Sequence, residues 1–141
     1  SMNSEAYFTV GEEDLNAGAK NGFEPGTYQF TVESIEDRTS AQGTPGLDLT
    51  LSAFRKDGSD FRVFDSIWLT EKAKWKYLAV AKSLGIDVPE GALTKEDVDK
   101  FKGEVQGKTG WTKLDRKDGE AYLTPQRYLA EMPVDEDDVR F

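Results

Sequence analysis

The chain has 141 residues, 27 of them acidic and 18 basic, for a formal net charge of −9. That length fits one domain with one modest core. Cys and His are absent, which excludes disulfides, thiolate metal sites, cysteine nucleophiles and Ser-His-Asp triads and removes the commonest general base.

Ser1-Met2 reads as the scar of a cleaved tag, and residues 4–24 as an acidic arm or a short helix from Glu12 to Ala19. From Pro25-Gly26 the pattern has period two. Tyr28, Phe30 and Val32 alternate with polar residues until a slip at Ser34-Ile35, as a bulge produces. A Gly/Pro/Ser-rich loop, Thr39 to Gly46, leads to a second strand with Leu47, Leu49, Leu51 and Ala53 on one face. Lys56-Asp57-Gly58 signals a hairpin turn. The third strand, Phe61 to Leu69, sets Phe61, Val63, Ile67 and Leu69 against Arg62, Phe64, Ser66 and Trp68.

Thr70 reads as the N-cap of a helix to Leu84, with Ala73, Tyr77, Val80, Ala81 and Leu84 on one stripe and Gly85 ending it. Residues 86–103 form an excursion with a short helix from Thr94 to Phe101. Strand signals return over Glu104 to Leu114 and, after an Asp118-Gly119 turn, over Glu120 to Leu129. Trp111 is expected in the core. Trp75, among Lys72, Lys74, Lys76 and Lys82, is expected to pack on a neighbouring loop, with base stacking as the alternative. The faces of Tyr122 and Tyr128 stay open.

Five strands with a helix between the third and fourth predict a mainly β fold, the five-stranded Greek-key barrel of the OB-fold. An α+β sandwich shares the element order. The domain spans residues 25–130, between the arm of 1–24 and an acidic tail of 131–141. Residues 25–130 carry 17 acids and 16 bases, so the acidity sits in the two ends. A low pI argues against nucleic acid as a partner, but here that applies to the ends only, because local charge steers binding.

The outward face of the second and third strands is the candidate site. Single-stranded nucleic acid needs cations for phosphates and flat aromatic faces for bases. Phe54, Arg62, Phe64 and Trp68 supply these on the strands, Arg38 flanks the first loop, and Arg116 and Lys117 sit in the last. The alternative is that Phe64 and Trp68 pack beneath the helix or the arm. Asp135, Glu136, Asp137, Asp138 and the terminal Phe141 form a second feature, an anionic tether with an aromatic end suited to a basic pocket with an apolar floor. Gly107-Lys108-Thr109 lacks the earlier glycine of a phosphate-binding loop, and Asp135 to Asp138 lacks the spacing of a calcium loop. No cofactor or metal is expected. No stretch is long and apolar enough for a membrane span or a signal peptide, so a cytoplasmic protein is expected.

Several motifs occur in order over roughly residues 23–130. They are Glu24-Pro25-Gly26-Thr27-Tyr28, Asp37-Arg38-Thr39-Ser40, Val63-Phe64-Asp65, Leu69-Thr70-Glu71-Lys72-Ala73-Lys74-Trp75 leading to Leu84-Gly85-Ile86, and Val105-Gln106-Gly107-Lys108-Thr109. In them the chain resembles a bacteriophage family catalogued as a domain of unknown function and taken to be OB-fold single-stranded-DNA-binding proteins. The tail is similar to those of bacterial and phage single-strand-binding proteins, which recruit replication and repair partners. Arg140 departs from the apolar residue or proline that many such tails carry. The resemblance implies a non-enzymatic, sequence-tolerant single-stranded DNA binder of phage replication or recombination that recruits partners through its tail. The oligomeric state stays open, a dimer included. The alternative is an acidic protein-interaction or DNA-mimic protein acting on a host nucleic-acid enzyme. A metal-dependent nuclease or phosphatase ranks last, because no site for one assembles in the sequence.

Overall fold

Period-two alternation over five segments becomes five antiparallel strands in the computed structural model, which describes residues 6–12 and 24–132. They are β1 (Gly26–Thr39), β2 (Pro45–Phe54), β3 (Asp60–Trp68), β4 (Thr109–Asp115) and β5 (Thr124–Leu129). Two helices, α1 (Lys74–Ser83) and α2 (Lys95–Val105), stand between β3 and β4. The sheet order is β3-β2-β1-β4-β5. β1 is long enough to pair with β2 along its second half and with β4 along its first, as in Val32 opposite Leu51 and Tyr28 opposite Thr112. A register shift between Val32 and Ser34 bends it where it passes from one partner to the other. The sheet thereby curls into a half-barrel, and its two edge strands meet where the Tyr128 hydroxyl of β5 donates to the Asp65 carboxylate of β3 at 2.6 Å.

The inward faces are those the alternation predicts on β1 to β3: Phe30, Val32, Leu47, Leu49, Leu51, Ala53, Val63 and Ile67 are all buried. α1 adds Tyr77, Val80 and Ala81, Leu84 follows at its C-cap, and α2 adds Val98, Phe101 and Val105. The helices join through Tyr77 stacked on Phe101, ring centroids 4.3 Å apart. α2 is tied to β1 by Lys102 Nζ donating to Asp37 at 2.8 Å.

Several boundaries differ from the sequence reading. Thr70 caps a turn, accepting from the Ala73 N–H at 3.2 Å, and α1 begins only at Lys74. α2 runs on to Val105, because Val98, Phe101 and Val105 make one buried stripe at helical spacing. The strand expected from Glu104 therefore starts at Thr109, beyond Gly107 at φ +83. β5 starts at Thr124 rather than Glu120, since Glu120 N–H closes a turn onto the Lys117 carbonyl at 2.9 Å.

Trp111 is not in the core. Gly110, Thr112 and Leu114 hold the inward positions of β4, and Trp111 is half-buried on the outer face. A Cβ on Gly110 would lie 2.6 Å from Ser83 Oγ and 2.9 Å from Phe30 Cζ, so the missing side chain is what lets α1 dock there. Thr112 is fully buried and donates to the Arg127 carbonyl at 2.7 Å, which satisfies its hydroxyl. Among the described residues, no helix is long and apolar enough to cross a membrane.

Candidate nucleic-acid interface

The outer face of β1, β2 and β3 is a plane of alternating side chains on which the register decides the neighbours. Asp48 lies opposite Glu36 on one side and Ser66 on the other, Thr50 opposite Ser34 and Phe64, and Gly46 opposite Arg38 and Trp68. Two clusters result.

The first lies at the β1–β2 hairpin. Arg38 Nη1 donates to Asp48 at 3.2 Å and to Ser66 Oγ at 3.1 Å, and its guanidinium lies over the Trp68 ring, 5.2 Å from the centroid. Ser66 Oγ donates to the same Asp48 oxygen at 2.8 Å. Trp68 is half-buried because its indole lies across Gly46. The hairpin loop is drawn tight by Ser40, whose hydroxyl accepts from Gln42 N–H at 3.2 Å and Thr44 N–H at 3.0 Å. This cluster therefore sits on a braced loop.

A Cβ on Gly46 would lie 2.6 Å from Trp68 Cε3. Gly46→Ala is thus expected to push the indole off the sheet and out from under Arg38. Overpacking of this kind costs about 1–3 kcal/mol. Near-UV circular dichroism and thermal melting would show the lost tryptophan ordering and the lower Tm. An unchanged spectrum would mean that the indole is not held there.

The second cluster is Arg62 with Glu33. The guanidinium donates to both carboxylate oxygens, at 2.8 and 3.3 Å. Between the clusters stands Phe64, 63% exposed on the outer face. With that exposure it is not packed beneath the helix. Phe54 lies half-buried at the far end of β2, opposite Asp60, whose carboxylate accepts from Ser52 Oγ at 2.5 Å.

Arg38, Phe64 and Trp68 are thus brought onto one surface with Arg62, and Phe54 is at its margin. Arg116 and Lys117 lie off the strands, in the β4–β5 loop. Leu114 pairs with Gly26 at the start of β1, while Arg38 is near its end, so the β4–β5 loop flanks the opposite end of that strand. Arg116 Nε donates to the Ala121 carbonyl at 3.0 Å inside the loop, and Lys117 is exposed. Asp135, Glu136, Asp137, Asp138 and Phe141 lie outside the described residues.

The electrostatics of the face are balanced rather than basic. Arg38 and Arg62 are each shared with a carboxylate, with side-chain exposures of 49% and 64%. Exposed pairs of this kind contribute about 0–1 kcal/mol, so either guanidinium can exchange its carboxylate for a phosphate at little cost. The carboxylates also hold both guanidiniums in fixed positions on the sheet.

Asp65 is the residue that sequence reasoning missed. It has inward parity on β3 between Val63 and Ile67, and it accepts from Lys76 Nζ at 2.5 Å as well as from Tyr128. An acid within an otherwise apolar inward series was the available signal. Trp75 also departs from expectation. It is 62% exposed on α1 rather than packed on a loop, and Tyr122 is exposed in the β4–β5 loop.

A scan against protein-family models gives no match to this chain, and a search of curated proteins gives none either.

Proposed function

We propose that the chain is a non-enzymatic, sequence-tolerant single-stranded-DNA-binding module on an OB-type barrel. The observation that carries this is Phe64, exposed on the outer face of β3 between Arg62 and the Arg38–Trp68 pair. The strand order, with β3 and β5 as edges that meet, agrees with a five-stranded Greek-key barrel, whose strand 2–3 face and flanking loops take oligonucleotides. Flat faces for bases and adjacent guanidiniums for phosphates are what a single strand needs, each stack being worth about 1–3 kcal/mol. The resemblance to the phage family gives the setting, phage replication or recombination, with the acidic tail recruiting partners.

The test is a titration of fluorescent oligo-dT at several salt concentrations. Micromolar or tighter binding is expected at low salt, weaker for duplex, and falling steeply as salt rises and counterions are released. Glu33→Gln should strengthen binding, since it frees Arg62 from a competing carboxylate. Folded protein with no detectable binding at low salt would overturn the reading and leave the acidic-mimic alternative.

A further inference from the structure

α1 is the most basic element among those described. It carries Lys74, Lys76 and Lys82 and no acidic residue, in a chain of net charge −9. Lys76 is turned inward onto Asp65, while Lys74 and Lys82 are exposed, Lys74 in a solvent-facing ion pair with Glu71 that a phosphate can displace at little cost. Trp75, Leu78 and Lys82 follow one another at helical i, i+3, i+7 spacing and so share one face, flanked by Lys74. Trp75 is 62% and Leu78 45% exposed. An exposed indole and leucine beside two exposed lysines suit an anionic partner that also offers flat apolar surface.

Position decides which anion. β3 ends at Trp68, and after the Thr70 turn the chain enters α1, so at most about 25 Å of extended chain separates Trp68 from Trp75. The turn shortens that further. The exposed indole therefore lies within that distance of Trp68, a span that a single strand leaving the β3 face can bridge.

We propose that α1 is a second contact for the same single strand, with Trp75 stacking a base and Lys74 and Lys82 holding flanking phosphates. This rests on the reading of the β2–β3 face given above. It makes the site longer than that face alone and continuous around the end of β3.

The experiment compares an oligo-dT of about six nucleotides with one of about 20, which bracket the roughly 4–16 nucleotides that a single barrel covers. Phe64→Ala should weaken both. Trp75→Ala should leave the short oligonucleotide unchanged and weaken the long one roughly 5- to 150-fold. Lys82→Gln should lower the salt slope for the long oligonucleotide by about one. Both side chains are exposed, so neither variant should move the Tm.

If Phe64→Ala weakens both oligonucleotides and Trp75→Ala neither, the inference fails and the proposed function stands. If the unaltered chain binds neither, both fail together. Two further results would overturn the inference: Trp75→Ala weakening binding of a poly-glutamate peptide but of no oligonucleotide, or Trp75→Ala changing the mass of the free protein in solution. The first would make α1 a dock for acidic protein and the second an interface between copies.

Discussion

Replacing Asp65 by alanine is expected to lower the unfolding free energy by about 3 kcal/mol. Asp65 joins the two edge strands and α1, through Tyr128 at 2.6 Å and Lys76 at 2.5 Å. Its side chain keeps 11% of its exposure and that of Lys76 22%. Removing one member of a buried ion pair costs about 3–5 kcal/mol, because the other charge is left without compensation. The partial exposure of Lys76 puts the value at the lower end. Asp65→Asn keeps an acceptor for Tyr128 and should cost less. Urea denaturation at neutral pH measures both. A loss below about 1 kcal/mol in Asp65→Ala would mean that the half-barrel stays curled without this contact.

The same cluster makes stability depend on alkaline pH. Burial, and then the neighbouring Asp65 carboxylate, hold the Tyr128 hydroxyl well above the ordinary phenol range. The folded chain therefore keeps a proton that the unfolded chain releases above about pH 10. The contribution is complete below that pH and is lost as pH rises through the folded value. Tyr128→Phe should cost about 1.5–3 kcal/mol at neutral pH, the worth of a hydrogen bond to a charged group. The variant should also lose less than the parent on going above pH 10. Some alkaline loss should persist, because burial, with Asp97 and Glu104, pushes Tyr77 up to about 12.

The fold was legible wherever one strand face is apolar throughout. Leu47, Leu49, Leu51 and Ala53 leave β2 a single register, because a slip of one residue would carry all four to solvent. β4 was misread because its inward positions are Gly110, Thr112 and Leu114, and only Leu114 is apolar. A buried threonine satisfied by a carbonyl, and a glycine where a helix approaches, leave no trace in hydrophobic periodicity. Trp111 was then the obvious core candidate, and it is on the other face. Helix boundaries failed for a related reason. The Thr70 side chain makes the same capping bond in a turn as at a helix start, and only the backbone distinguishes them.

The candidate site was legible as a face but not as a set of contacts. Parity alone set Arg62, Phe64, Ser66 and Trp68 on one side of β3, and they are there. Parity gave no hint that Asp48 and Glu33 would each hold an arginine, because those partners depend on the β1–β2 register and on the bulge near Glu33. Nor could it fix which end of β1 each loop flanks, which separates Arg116 and Lys117 from Arg38.

The double variant Phe64→Ala, Trp68→Ala is expected to lose about 2–6 kcal/mol of affinity for single-stranded DNA, one stack of about 1–3 kcal/mol at each position. That is roughly a 30-fold to 10⁴-fold rise in Kd. The two residues are four apart on β3, about 13 Å along the strand. Among the described residues they share no partner, since Trp68 lies under Arg38 and across Gly46 while Phe64 faces Thr50. Sites so separated add to within about 0.5 kcal/mol, so the double loss should equal the sum of the single losses. Phe64→Ala should leave the Tm unchanged, because the ring is 63% exposed. Trp68→Ala should lower it, since the half-buried indole covers Gly46, so affinity is read at a temperature where both variants are folded. If the double variant holds DNA within about twofold of the parent while Arg38→Glu or Arg62→Glu abolishes binding, the face takes phosphates without stacking bases. Its aromatic side chains then serve another partner.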